Sequence, residues 1–210
     1  MKSKALENLG KIINRSMSDI AFSDRDILDI DKNFHVFYKV PKSSKLPIIT
    51  QTLALTDSIA KMRKDLIDFR RRNFIRNVFS SIEATIWCMK NILLEKKEIL
   101  KSSDIIKLQE YKLVGPNKKN LELILYKIGL EESIKLTIKR FDEIILNKKN
   151  TNIFDNKNWE NFKIALKIRH RITHPKSNID LRVSKGETDL VRACYFWFFD
   201  DLIFKRIKKS

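Results

Sequence analysis

A chain of 210 residues, 43% of them hydrophobic and 13 of them Phe, has room for one domain with an appendage and enough apolar mass for a core. Only four Gly and four Pro signal few turns, which argues against many short strands and favours long helices. A net charge of +17 suits polyanions such as RNA, DNA or an anionic surface, or else a solvated Lys-rich exterior; composition leaves both open.

The amino terminus, MKSKALENLGKIINR, has no apolar signal core and no small-residue cleavage site. The most apolar run, ACYFWFF, is too short to span a bilayer, so a soluble cytoplasmic protein without a membrane partner is expected. Residues 4–15 fit a short amphipathic helix with Leu6, Leu9, Ile12 and Ile13 on one side. In residues 17–50, Phe34, Val36, Tyr38 and Val40 alternate with other side chains, as in a strand or an extended arm, and Pro41 and Pro47 oppose a helix. Residues 1–50 therefore read as an appendage and 51–210 as the helical domain.

From Leu53 to Lys97 no Gly or Pro intervenes, and Ile75, Phe79, Ile82, Ile86, Met89 and Leu93 recur at spacings of 4, 3, 4, 3 and 4. This is the stripe of a long helix. Beside it runs a polar seam, Asn73, Arg76, Ser80 and Glu83, and upstream lies the run Arg70 to Arg72, expected to be solvated. Gly115-Pro116 breaks the pattern. Residues 118–147 then read as one or two helices interrupted near Gly129, with Leu121, Ile124, Leu125 and Ile128 on a face. After the polar stretch 147–158, a helix is expected from Asn158 as N-cap, with Glu160 in its first turn. It should end at His174, because Pro175 disfavours α conformation in the residue before it. Following a loop with Gly186, residues 188–205 form a last helix, apolar nearly all round, that suits a central or an interface position. The expected fold is all-α, a bundle of about four to six helices.

Cys88 and Cys194 lie in apolar stretches without a CxxC partner or nearby ligand histidines, which fits reduced, buried thiols and neither zinc nor another cofactor. No Gly-rich phosphate loop, HExxH or GxSxG is present. The search for chemistry narrows to KIRHRITHPKS, Lys167 to Ser177, which holds two of the three histidines.

On an ideal helix Arg169 and His174 point about 140° apart, while His170 and His174 share a face. If the helix ends at His174, that imidazole is free to meet the long Arg side chain on one phosphate. Histidine moves protons near neutrality and arginine gives a permanently charged, bidentate phosphate clamp. Together they suffice for attack of an RNA 2′-OH on the adjacent phosphate, a reaction that requires no metal. The competing readings are structural. His174, Arg169, Arg171 and Lys167 are also the cations a helix C-terminus attracts. Glu83 is also a plain salt-bridge partner, and Trp87, Trp159, Phe162 and YFWFF read as core or interface rather than base-stacking platforms.

WENFKIALKIRHRITHP resembles the motif helix of the HEPN superfamily, small all-α domains with an R-x4–6-H signature and commonly a polar residue after the Arg. The Phe- and Ile-rich helix containing Arg70 to Glu95 resembles the early HEPN helix that packs beside it, and the likeness covers about 55–205. The resemblance implies a metal-independent endoribonuclease of a toxin–antitoxin, abortive-infection or other anti-phage system. It implies a homodimer with two motifs facing one composite cleft, and a cognate antitoxin or defence partner. Arg169 and His174 match the signature as the catalytic pair, and His170 takes the polar position. The polar seam offers Glu83 to orient Arg169, and Lys167, Arg171, Lys176 and Arg76 are the cations expected on RNA. Some HEPN domains have lost activity, yet both signature residues are present here. The alternative is a basic helical module that binds nucleic acid or protein without cleavage.

Overall fold

The computed structural model describes residues 49–115, 122–148 and 153–208, together with positions 7, 10, 11, 14, 15 and 18, which are helical. The apolar positions expected in the first helix and nearly all of the extended stretch 17–50 lie outside the described residues.

Helix α1 (Ile49–Leu94) runs 46 residues, about 69 Å at 1.5 Å per residue. Its carboxy-terminal half carries the expected stripe, and Ile75, Phe79, Ile82, Ile86, Met89 and Leu93 are all buried. A short helix α2 (Ser102–Leu108) follows, then strands β1 (Tyr111–Val114) and β2 (Glu122–Leu125), α3 (Leu130–Ile144), α4 (Lys157–Thr173), a 3-10 turn (Asn178–Leu181) and α5 (Lys185–Phe196). Helix α5 runs on through a π-helical segment (Trp197–Phe204) into a last turn α6 (Lys205–Lys208). Apart from one hairpin the described chain is all-α.

α1 packs against α3, α4 and α5, and α4 packs against α5. Their shared core is aromatic: Trp159 stacks on Phe162 at 5.2 Å between ring centroids, and Phe162 on Phe198 at 6.3 Å. Helix α3 adds Ile134, Ile138 and Phe141, and is tied to α2 by Arg140, which meets Asp104 at 2.8 Å.

Three boundaries differ from expectation. Residues 122–125 form a strand, antiparallel to β1 with Tyr111 opposite Leu125 and Leu113 opposite Leu123, where a helix was expected. The run Leu121–Ile128 is mostly apolar, so its spacing matches either period, and pairing with β1 decides for the strand. Helix α4 starts two residues earlier than expected: Asn156, not Asn158, is the cap, accepting from Trp159 N at 2.9 Å. Gly186 is helical rather than in a loop, because Ser184 and Glu187 close a capping box around the start of α5.

Candidate functional site

Helix α4 places the candidate residues through one irregularity in its apolar face. Phe162, Ala165 and Ile172 are buried, and spacings of 3, 4 and 3 put Arg169 on the same line. A guanidinium on an apolar stripe requires a partner, and Arg169 Nη2 donates to Glu83 Oε1 of α1 at 2.8 Å. The two side chains keep 28% and 42% of their exposure, so the pair is open to the surface rather than sealed. The other N–H groups of Arg169 have no hydrogen-bond acceptor among the described residues.

Next to this stripe, Lys163, Lys167, His170 and His174 follow at spacings of 4, 3 and 4, a polar ridge of two lysines and two histidines along α4. The His170 and His174 rings lie 4.9 Å apart between centroids. Helix α4 stops at Thr173 as expected, and His174 is its C-cap, with its N–H donating to His170 O at 3.0 Å. Arg169, His170, His174, Lys167, Lys176 and Glu83 all line one groove of about 970 Å³. Lys167 and Lys176 make no ion pair among the described residues, whereas Lys163 is held by Glu160 at 2.7 Å.

The segment after His174 is held by arginines. Arg76 Nη2 donates to Ile172 O at 3.2 Å, Arg72 Nη1 to Leu181 O at 2.7 Å, and Arg71 Nη1 to Val183 O at 3.0 Å. Arg171 Nη1 reaches Asp180 O and Arg182 O, and its Nη2 meets Glu187 at 2.6 Å. The run at 70–72 is therefore not merely solvated: two of its three guanidinium groups fasten the loop, because a loop carbonyl without a helix partner still needs a donor. Arg76 and Arg171, named from the sequence as RNA contacts, are engaged within the chain, Arg76 by a backbone carbonyl and Arg171 by two carbonyls and the Glu187 carboxylate. Asp180 completes the turn, accepting from Lys176 N at 2.8 Å and Ser177 N at 3.0 Å. These bonds, that from Lys176 first, hold its carboxyl below the usual range.

Trp159 and Phe162 are core as expected, but Trp87 is 65% exposed. The last helix is covered within the chain: Tyr195, Trp197, Phe198 and Phe199 are buried and Phe196 alone of that run is exposed. Cys194 is buried and Cys88 half-buried, both are free, and burial raises both thiols, Cys194 to about 11. Among the described residues no cluster of three His, Cys, Asp or Glu side chains is placed to hold a metal ion. No helix among them is long and apolar enough to cross a membrane. Comparison with family models, with curated proteins and with solved structures found no match to this chain.

Proposed function

We propose that the chain is a metal-independent endoribonuclease of HEPN type, acting in the cytoplasm as a toxin or anti-phage effector. The observation that carries this reading is the convergence of Arg169, fixed by Glu83, with the His170–His174 pair on one open groove. Arg169 clamps the scissile phosphate and stabilises the charge that builds on it. His174, at the end of its helix, takes the proton of the 2′-OH as that oxygen attacks phosphorus. The bond from phosphorus to the 5′-oxygen breaks, and the leaving oxygen receives a proton from a second imidazole. Either His170 of the same chain or His174 of a second copy across a two-fold axis supplies it. The homodimer remains part of this reading on that chemical ground. The last helix no longer argues for it, since its aromatic face is filled from within.

Expression of the wild type beside His174→Ala and Arg169→Ala tests the reading, with purified RNA incubated in EDTA. The wild type should leave 2′,3′-cyclic phosphate and 5′-OH ends, and each variant should lose on the order of 10²–10⁴ in rate. Strict dependence on added Mg²⁺, or full activity in both variants, removes the mechanism. RNA binding without cleavage by the wild type would identify a binding module instead.

A further inference from the structure

The groove does not end at Glu83. A second hollow of about 420 Å³ continues from it along α1, and Glu83, Lys127, Ile128 and Leu130 line both. Trp87 lines this second hollow, four residues after Glu83 and so about 6 Å further along the same helix face. Ile86 and Met89 belong to the buried stripe, whereas Trp87 faces away from it and is 65% exposed. Trp87 is in none of the aromatic or cation–π contacts among the described residues, which gather instead around Trp159, Phe162 and Phe198. Lys127, exposed between the two hollows, makes no ion pair among the described residues. By contrast Lys90, at the back of the second hollow, is buried and held by Glu110 at 3.0 Å.

We infer that Trp87 is a stacking platform for an unpaired base, with Lys127 on the phosphate between that base and the one cut at Arg169 and His174. The substrate is then single-stranded RNA, since a base inside a duplex has no free face to offer. The inference rests on the ribonuclease reading for the identity of the neighbouring site. The charge pattern supports this occupant over a protein: the cations lining the two hollows that no carboxylate holds are Lys127, which lines both, and Lys167 and Lys176, which line the larger one. An exposed aromatic face beside unpaired cations is what sequence-tolerant binding of a single strand uses.

The experiment uses the full chain carrying His174→Ala, so that RNA stays intact, titrated with a single-stranded oligouridylate and with a duplex RNA of equal length. Of the three tryptophans, Trp159 and Trp197 are 1% and 9% exposed, so a change in indole emission reports chiefly on Trp87. The single strand should quench that emission and the duplex should not. Adding Trp87→Phe should abolish the quench while keeping most of the affinity, and adding Trp87→Ala should weaken binding roughly 5- to 150-fold. Quenching that survives Trp87→Phe, equal quenching by the duplex, or unchanged affinity in Trp87→Ala overturns the inference. The single variant Trp87→Ala, with His174 intact, cutting RNA at the wild-type rate also overturns it and leaves the ribonuclease reading standing. A wild type that cuts nothing while the Trp87-dependent quench persists overturns the ribonuclease reading alone.

Discussion

Arg169 illustrates how a single residue was legible and how it was not. Its place in R-x4-H is visible at once, but the pattern is short. The stronger signal is that it interrupts Phe162, Ala165 and Ile172, and that a polar seam with Glu83 exists on another helix to receive it. Because this ion pair is partly exposed, it contributes only about 0.2–1 kcal/mol to stability. Glu83→Gln should therefore shift the melting temperature by a few degrees at most while slowing cleavage, by on the order of 10² if the guanidinium moves about an ångström. A fall in kcat with the melting curve unchanged checks this; a large loss of stability would make the pair structural. Arg171 should behave in the opposite way. Arg171→Ala strips donors from two loop carbonyls and a partner from Glu187, and should cost about 1–3 kcal/mol in a denaturant titration. The R-x4-H pattern singles out Arg169, but the role of Arg171 in holding the loop was not legible, because its partners Asp180, Arg182 and Glu187 are tertiary. Cys194 gives a third check: with its thiol raised to about 11, it should resist alkylation at pH 8 in the native protein and react once unfolded.

At the scale of elements, long periodic stretches were readable and short apolar ones were not. The stripe from Ile75 to Leu93 has one interpretation, whereas Glu122 to Leu125 fits both periods, and only pairing with Tyr111 to Val114 settles it. The last helix shows a subtler case. Six of its buried residues come in pairs, Cys194 with Tyr195, Phe198 with Phe199, Leu202 with Ile203, repeating every four positions, with Trp197 buried beside the second pair. Four residues overshoot one α-turn and fall short of one π-turn, so passing from α to π geometry keeps the pairs on one side. Aromatic density hides that repeat when the sequence is read as apolar all round. The turn after α4 yields a pH prediction. The carboxyl of Asp180 is held below its ordinary value of 3.8, so its contribution is present above that value and lost as pH falls through the lower, folded one. Amide exchange at Lys176 and Ser177 should be slow at pH 5, as the bonds to Asp180 predict, and Asp180→Ala should speed it at the same pH.

For the whole molecule, charge says more about partners than about fold. The +17 balance was readable from composition, but which cations are free for a ligand was not. Arg71, Arg72 and Arg76 hold loop carbonyls and Lys90 and Lys163 hold carboxylates, which leaves Lys127, Lys167 and Lys176 along the groove. Binding of RNA to His174→Ala should weaken linearly in log K against log salt, with a slope corresponding to a few phosphates rather than to the total charge. Replacing Lys167 and Lys176 by Ala should reduce that slope. Affinity independent of salt would point away from nucleic acid.

The arginines that fasten residues 172–183 have a further electrostatic consequence. Arg71, Arg72 and Arg76 donate to carbonyl oxygens, which are neutral, and none has a carboxylate partner among the described residues. Three like charges thus sit within six residues of one helix, repelling one another while they hold the loop that carries His174. The clamp is therefore built from groups under mutual electrostatic stress, and added salt, which screens that repulsion, should tighten it.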